Sequence, residues 1–197
     1  MKEIVGLLLA AGSASRFGSD KLLHSLPHGV PIAVQAARHL QAVFELKVFV
    51  VVRPGADELS ELFRREGCEV VVCERAAEGM GASLACAVRA ANAGGGVDGY
   101  LIALADMPFI RSSTIAAVRD ALAAGAPLAA PYFRARRGHP VGIGAVFRGE
   151  LEELKGDEGA KNLLAGHAAK LVKVPVGDPG VLRDIDTPGD LLPPLVV

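Results

Sequence analysis

Leu9-Ala10-Ala11-Gly12-Ser13-Ala14-Ser15-Arg16-Phe17-Gly18-Ser19-Asp20-Lys21 is a run of mostly small residues with one arginine and one lysine, set directly after an apolar stretch. That stretch, Glu3 through Ile4, Val5, Gly6, Leu7 and Leu8 to Leu9, is too uniformly apolar for a strand with one wet face. It predicts a buried, parallel-type strand ending near Ala10. Beyond it, Ala11, Gly12, Ser13, Ala14 and Ser15 leave the backbone open to close approach, so that amide N–H groups can be aimed at anionic oxygens. Arg16 and Lys21 add mobile positive charge. The stretch reads as a triphosphate-binding loop at the C-terminal end of a strand. The plainer alternative is a strand-to-helix turn with two solvated basic residues. Two better-known phosphate loops do not fit. A P-loop needs lysine directly after its second glycine, whereas Gly18 is followed by Ser19 and Asp20; a dinucleotide fingerprint needs glycine two positions after the first, where Ala14 stands.

Outward from the loop, short apolar runs over 47–52, 69–73, 99–105 and 126–130 predict further strands. Between them, 32–43, 57–66, 80–92 and 112–124 carry apolar residues at helical spacing. This alternation predicts an α/β protein with a mostly parallel sheet flanked by helices and right-handed crossovers, whose ligands sit outside the carboxyl ends of the strands. After Pro131 the alternation weakens into a basic turn with Arg134, Arg136, Arg137, Gly138, His139 and Pro140, which reads as an acceptor-facing insertion ahead of a strand at 141–146. Helical stretches over 147–154 and 157–165 follow, then strands at 170–174 and 181–185.

Composition narrows the possible partners. A length of 197 residues suits one domain over 1–197. Although 51% of residues are hydrophobic, no uninterrupted apolar stretch approaches the roughly 20 residues a transmembrane helix needs, so no membrane is expected. Met1, Lys2 and Glu3 run straight into the first strand, with no leader, and a cytoplasmic location is expected. A net charge of −1 gives no general field for nucleic acid, and 5% aromatic residues without tryptophan offer few stacking platforms. Cys68, Cys73 and Cys86 lack metal-ligand spacing and read as buried small hydrophobes, and the five histidines include no pair suited to a metal on one helix face.

Asp106, between Ala105 and Met107, is a lone carboxylate after an all-apolar strand, where burial without a cation would be costly. The position suits a Mg²⁺ ligand, and magnesium takes one or two protein carboxylates with phosphate oxygens and waters. Asp184 and Asp186 are the second acids: side-chain alternation along a strand would turn both to the same side. The alternative for Asp186 is a helix cap ahead of Thr187 and Pro188.

The loop pattern L-A-A-G followed by S-x-R-x-G-x-x-K resembles that of nucleotidyltransferases with a Rossmann-like (GT-A-like) fold, in particular the molybdenum cofactor cytidylyltransferases. The strings LADMP at 104–108 and DIDTP at 184–188 occur in that family in this order, and the resemblance covers nearly the whole chain. It implies that Leu9, Ala10, Ala11, Gly12, Arg16 and Lys21 wrap the triphosphate, and that Asp106 and Asp186 hold Mg²⁺ with Asp184 close by. It further implies that Gly79, Met80, Gly81 and Ser83 contact the base, the bare-sequence alternative for that segment being a simple helix start. His139, Arg137 and Arg134 would face the acceptor, against a turn residue before proline and a solvated basic loop. The segment Gly156-Asp157-Glu158-Gly159-Ala160-Lys161 also looks like a family motif, with lysine where arginine is more familiar. The implied reaction is transfer of CMP from CTP to a phosphate-bearing acceptor, Mo-molybdopterin, with a molybdenum hydroxylase as partner enzyme and with Arg16, Lys21 and Asp106 as the catalytic residues. CTP rather than GTP follows from Ala10-Ala11-Gly12, since guanylyl relatives tend to carry a second glycine. The competing readings are another small-acceptor transferase of the same fold, a relative assigned to reduction of a nicotine-blue-type pigment, and a non-catalytic cofactor-insertion chaperone.

Overall fold

Ile4–Leu9, strand β1, is buried at all six positions, and its side chains divide between two cores. Ile4 and Leu8 join one; Val5, Leu7 and Leu9 join the other. A strand covered on both faces needs apolar residues throughout, which is why this run shows no alternation. The computed structural model describes residues 2–12, 21–44 and 48–192. In these, β1 lies in an eight-stranded sheet with β2 (Val48–Val52), β3 (Glu69–Val72), β4 (Gly99–Leu104), β5 (Leu128–Phe133), β6 (Arg136–Arg137), β7 (Val141–Gly144) and β8 (Leu171–Pro175). The order is β3-β2-β1-β4-β7-β5-β6, with β8 paired to β5.

Among the described residues, three helices cover each face. α1 (Ile32–Phe44), α2 (Asp57–Arg65) and α4 (Ser112–Ala123) supply Leu40, Phe63 and Val118 to the first core; α3 (Met80–Asn92), α5 (Arg148–Glu152) and α6 (Lys161–Gly166) supply Leu84, Leu151 and Leu163 to the second. Burying a side chain of this size contributes about 1.5–3 kcal/mol. The fold is the expected mixed α/β arrangement with a mostly parallel sheet. β1 pairs in parallel with β2 and β4, β2 with β3, and β5 with β8. Only β7 and β6 run against their neighbours. Because β7 is antiparallel to both β4 and β5, the latter two run the same way, and the carboxyl ends of β1 to β5 and β8 share one rim. No helix among the described residues is long and apolar enough to cross a membrane.

Two expectations are corrected at that rim. Residues 181–185 do not form a strand. Asp178 caps a 3₁₀ turn over Pro179–Leu182, and the chain then crosses the strand ends: Val181 O accepts from His139 N at 2.9 Å and Ile185 N donates to Asp106 O at 2.9 Å. These bonds go to loop residues rather than to a strand edge, so no ladder can form. The predicted helix over 157–165 starts only at Lys161, because Gly156 and Gly159 take positive φ (66° and 53°) and keep the intervening residues out of the helix. Residues 157–160 are thereby left free to face the rim.

Asp178 fixes the crossing segment. It is 2% exposed, and its carboxylate accepts from Arg111 N (2.9 Å), Thr114 Oγ1 (2.8 Å) and Gly180 N (3.0 Å). Removing a buried, charged acceptor strands its donors, at about 1.5–3 kcal/mol for each such bond. Asp178→Ala should therefore destabilise the protein by about 4.5 kcal/mol or more, lowering Tm by roughly 9–18 °C. A melting temperature within about 2 °C of wild type would show that Asp178 does not hold this segment.

Candidate active site

Lys21 begins a short 3₁₀ turn, Lys21–Leu23, anchored by the buried Leu22. Its ammonium donates to Asp106 Oδ2 at 3.0 Å, to the Ile185 carbonyl at 2.8 Å and to Asp186 Oδ1 at 3.1 Å. A lysine has three donors, and all three are placed. The side chains grade outward from Lys21 (13% exposed) through Asp106 (26%) to Asp186 (53%). Burial alone would pull the lysine pKa down; the charge of Asp106 and the hydrogen bonds that Lys21 donates to Asp106 and Asp186 outweigh it and hold the pKa above its ordinary value. One cation thus gathers two carboxylates that lie eighty residues apart in the chain, each at the end of an extended segment on the rim.

A cleft of about 800 Å³ opens beside this cluster. Strand ends line it: Leu9, Ala10, Ala11 and Gly12 after β1, Arg53 after β2, Glu74 after β3, and Leu104 and Asp106 at β4. Gly79, Met80 and Ser83 at the start of α3, together with Asp157, complete the wall. Of the residues expected to bind a nucleotide, Leu9, Ala10, Ala11, Gly12, Lys21, Gly79, Met80, Ser83 and Asp106 line this one space. Arg16 lies outside the described residues. Gly81 stands behind the wall, where its N–H donates to Gly156 O at 2.7 Å and a Cβ would lie 2.6 Å from Lys155 O. The Ser83 hydroxyl is turned inward as well, donating to Gly79 O at 3.3 Å within its own helix.

Sequence reasoning missed Arg53, whose guanidinium donates to Gly12 O at 3.1 Å. The signal was present: Arg53 follows an all-apolar strand just as Asp106 follows β4 by two residues. Asp157 was noticed only as part of a motif, because the predicted helix would have absorbed it.

The metal candidates separate. Asp106 and Asp186 converge on Lys21, whereas Asp184 makes no contact with that ammonium and instead lies close enough to His139 for its charge to act on the ring. The capping alternative for Asp186 is corrected, since Thr187 caps the turn Pro188–Leu191 in a box with Asp190. Among the described residues no cluster of three or more His, Cys, Asp or Glu side chains is preformed for a metal. Two carboxylates suit magnesium nonetheless, because that ion draws its remaining oxygens from substrate phosphates and water.

The acceptor candidates are spread along the same rim. Arg134 and Ala135 form the two-residue turn between β5 and β6, both at positive φ (47° and 63°), and the Arg134 guanidinium lies 5.2 Å from the Phe133 ring centre. Arg134 borders a second hollow with Tyr132 and Lys173, and Arg137 is exposed on β6 opposite Tyr132. His139 is different in kind. Its Nδ1 is buried without a partner, and burial, with the nearby Arg137 charge, pushes its pKa to about 4 despite Asp184 and a hydrogen bond with the Ile102 backbone. It is a neutral imidazole at pH 7.

The residues 6–172 match the MobA-like NTP transferase domain. The chain belongs to that family. It is accordingly a nucleotidyltransferase. The purine catabolism protein PucB of Bacillus subtilis is 32% identical over 94% of this chain and 92% of its own length. Rv0371c of Mycobacterium tuberculosis H37Rv superposes with a TM-score of 0.83 at 24% identity, over 96% of this chain and 95% of that one. A manganese complex of Rv0371c from the same organism gives 0.75 at 22% identity, with 96% of each chain covered.

His139 yields a pH prediction. Its folded pKa of about 4 lies below the ordinary 6.5, so across this window the unfolded chain binds the extra proton. The stability it supports is whole above pH 6.5 and is lost as pH falls toward 4. Between pH 7 and pH 5, urea unfolding should show wild type losing about 2 kcal/mol more than His139→Asn. Equal losses would mean that the ring is not buried as neutral imidazole.

Proposed function

We infer that this nucleotidyltransferase moves CMP from CTP to a phosphate-bearing acceptor, Mo-molybdopterin, and releases pyrophosphate. The single observation carrying this reading is the Lys21 ammonium shared by Asp106 and Asp186, beside a cleft lined by Leu9, Ala10, Ala11 and Gly12 at the end of β1. Lys21 and Arg53, with Arg16, hold the β and γ phosphates. Asp106 and Asp186 hold Mg²⁺, with Asp184 nearby. Held there, the ion would supply positive charge to offset that of the phosphate oxygens. A manganese complex of a protein with the same fold supports divalent-metal use here.

In the reaction an acceptor phosphate oxygen forms a bond to the α-phosphorus while the bond from that phosphorus to the bridging oxygen breaks. A phosphate monoester has a second pKa of about 6, so it arrives largely ionised and needs no general base from the protein. Catalysis then rests on placement and on fixed positive charge. Arg137 and Arg134 receive the acceptor phosphate, with His139 beside them as a neutral ring rather than a cation. The whole of 1–197 acts as one domain in the cytoplasm. The similarity to a protein named for purine catabolism favours a purine-acting molybdenum hydroxylase as the partner that takes the product.

With Mo-molybdopterin, CTP and Mg²⁺, the protein should release pyrophosphate, faster than with GTP, and Asp106→Asn should lower kcat at least a hundredfold with the melting temperature unchanged. No pyrophosphate release from any nucleotide would assign the chain to the chaperone reading, and consumption of a nicotinamide cofactor to the reductase one.

A further inference from the structure

The wall of the cleft at the start of α3 offers few hydrogen-bond donors. Gly79 N donates to Ala76 O, Gly81 N to Gly156 O and Ser83 N to Gly79 O, at 3.1, 2.7 and 3.2 Å. The Ser83 hydroxyl proton is also engaged within the helix. Apart from the Met80 N–H at the first turn of α3, what the wall brings to the cleft is acceptor chemistry: the Asp157 carboxylate, the Glu74 carboxylate and the remaining lone pairs of Ser83.

Asp157 is placed there by backbone. The Gly156 carbonyl accepts from Gly81 N, which clamps the 155–157 loop onto the helix start, and the contact is so close that a Cβ on Gly79 would lie 2.2 Å from Asp157 Oδ1. Gly79 sits at φ 120°, where side chains are strained in any case. The carboxylate is exposed, and no cation or donor among the described residues holds it. A carboxylate here cannot serve the triphosphate, whose charge it repels; it suits a part of the nucleotide that donates hydrogen.

We propose that Asp157 is the base-discriminating residue of this site, accepting a hydrogen bond from the exocyclic amine of an amino-bearing base. This rests on the nucleotide-binding reading above and deepens it. A keto base such as uracil puts a carbonyl oxygen against the carboxylate, and the repulsion excludes it. The inference assigns the selection to a loop far from the triphosphate-binding segment in the chain.

Binding of CTP, UTP and dCTP, each with Mg²⁺, to wild type and to Asp157→Asn provides the test. Wild type should bind CTP at least tenfold more tightly than UTP, the value of one charge-assisted hydrogen bond. In Asp157→Asn the amide can donate to the uracil oxygen, so the two affinities should converge to within about threefold, with dCTP falling alongside CTP. If CTP and UTP weaken together while dCTP is unaffected, the carboxylate holds the ribose and the proposal is wrong. An unchanged CTP-to-UTP ratio likewise overturns it while leaving nucleotide binding intact. Failure of every nucleotide to bind wild type overturns both this inference and the reading on which it rests.

Discussion

Everything at the rim turns on one ammonium group. Asp106 and Asp186, at 3.0 and 3.1 Å from the same Lys21 ammonium, would repel each other without a cation between them. Lys21 supplies the cation at the cost of its own hydration, and its third donor bonds the Ile185 carbonyl, so the same atom also fixes the backbone next to Asp186. Such an arrangement carries a net negative charge. In the proposed function a divalent cation would join the acids and the lysine would turn to a phosphate, which would balance that charge more fully.

The rest of the fold makes that meeting possible. Two helical layers bury both faces of the sheet, leaving the carboxyl ends of the strands as the place where polar chemistry can reach water and ligand. Asp178, buried and triply bonded, and Ile185, fully buried, pin the crossing segment on either side, so Asp186 is held by packing as well as by charge. On the opposite wall the glycines at 79 and 81 allow the 155–157 loop to press against α3, which brings Asp157 to the cleft. Stability and site share the same backbone contacts here.

Much of this was legible in the sequence because burial leaves a direct trace there. Uninterrupted apolar runs marked β1, β2 and β4; helical spacing placed α3 over its observed residues; Asp106 stood just past one of those runs, and Lys21 closed the small-residue segment that follows another. What the sequence hid depends on contacts between distant segments. The 181–185 run looks like a strand because Val181 and Ile185 are apolar, yet they pack down onto the strand ends instead of pairing along an edge. Asp157 looked helical because the positive φ of Gly156 and Gly159 is a conformational choice that composition permits but does not announce. Arg53 stood directly after an apolar run, but its place at the cleft shows in its bond to Gly12, and the burial of His139 only in the segment that covers it.

A crystal structure with a non-hydrolysable CTP analogue and Mg²⁺ tests the central claim most directly. The account predicts a metal ion between the carboxylates of Asp106 and Asp186, and Lys21 Nζ turned away from both to a phosphate oxygen, with the triphosphate over Gly12. Nucleotide bound elsewhere, with Lys21 still bridging the two acids, would contradict it.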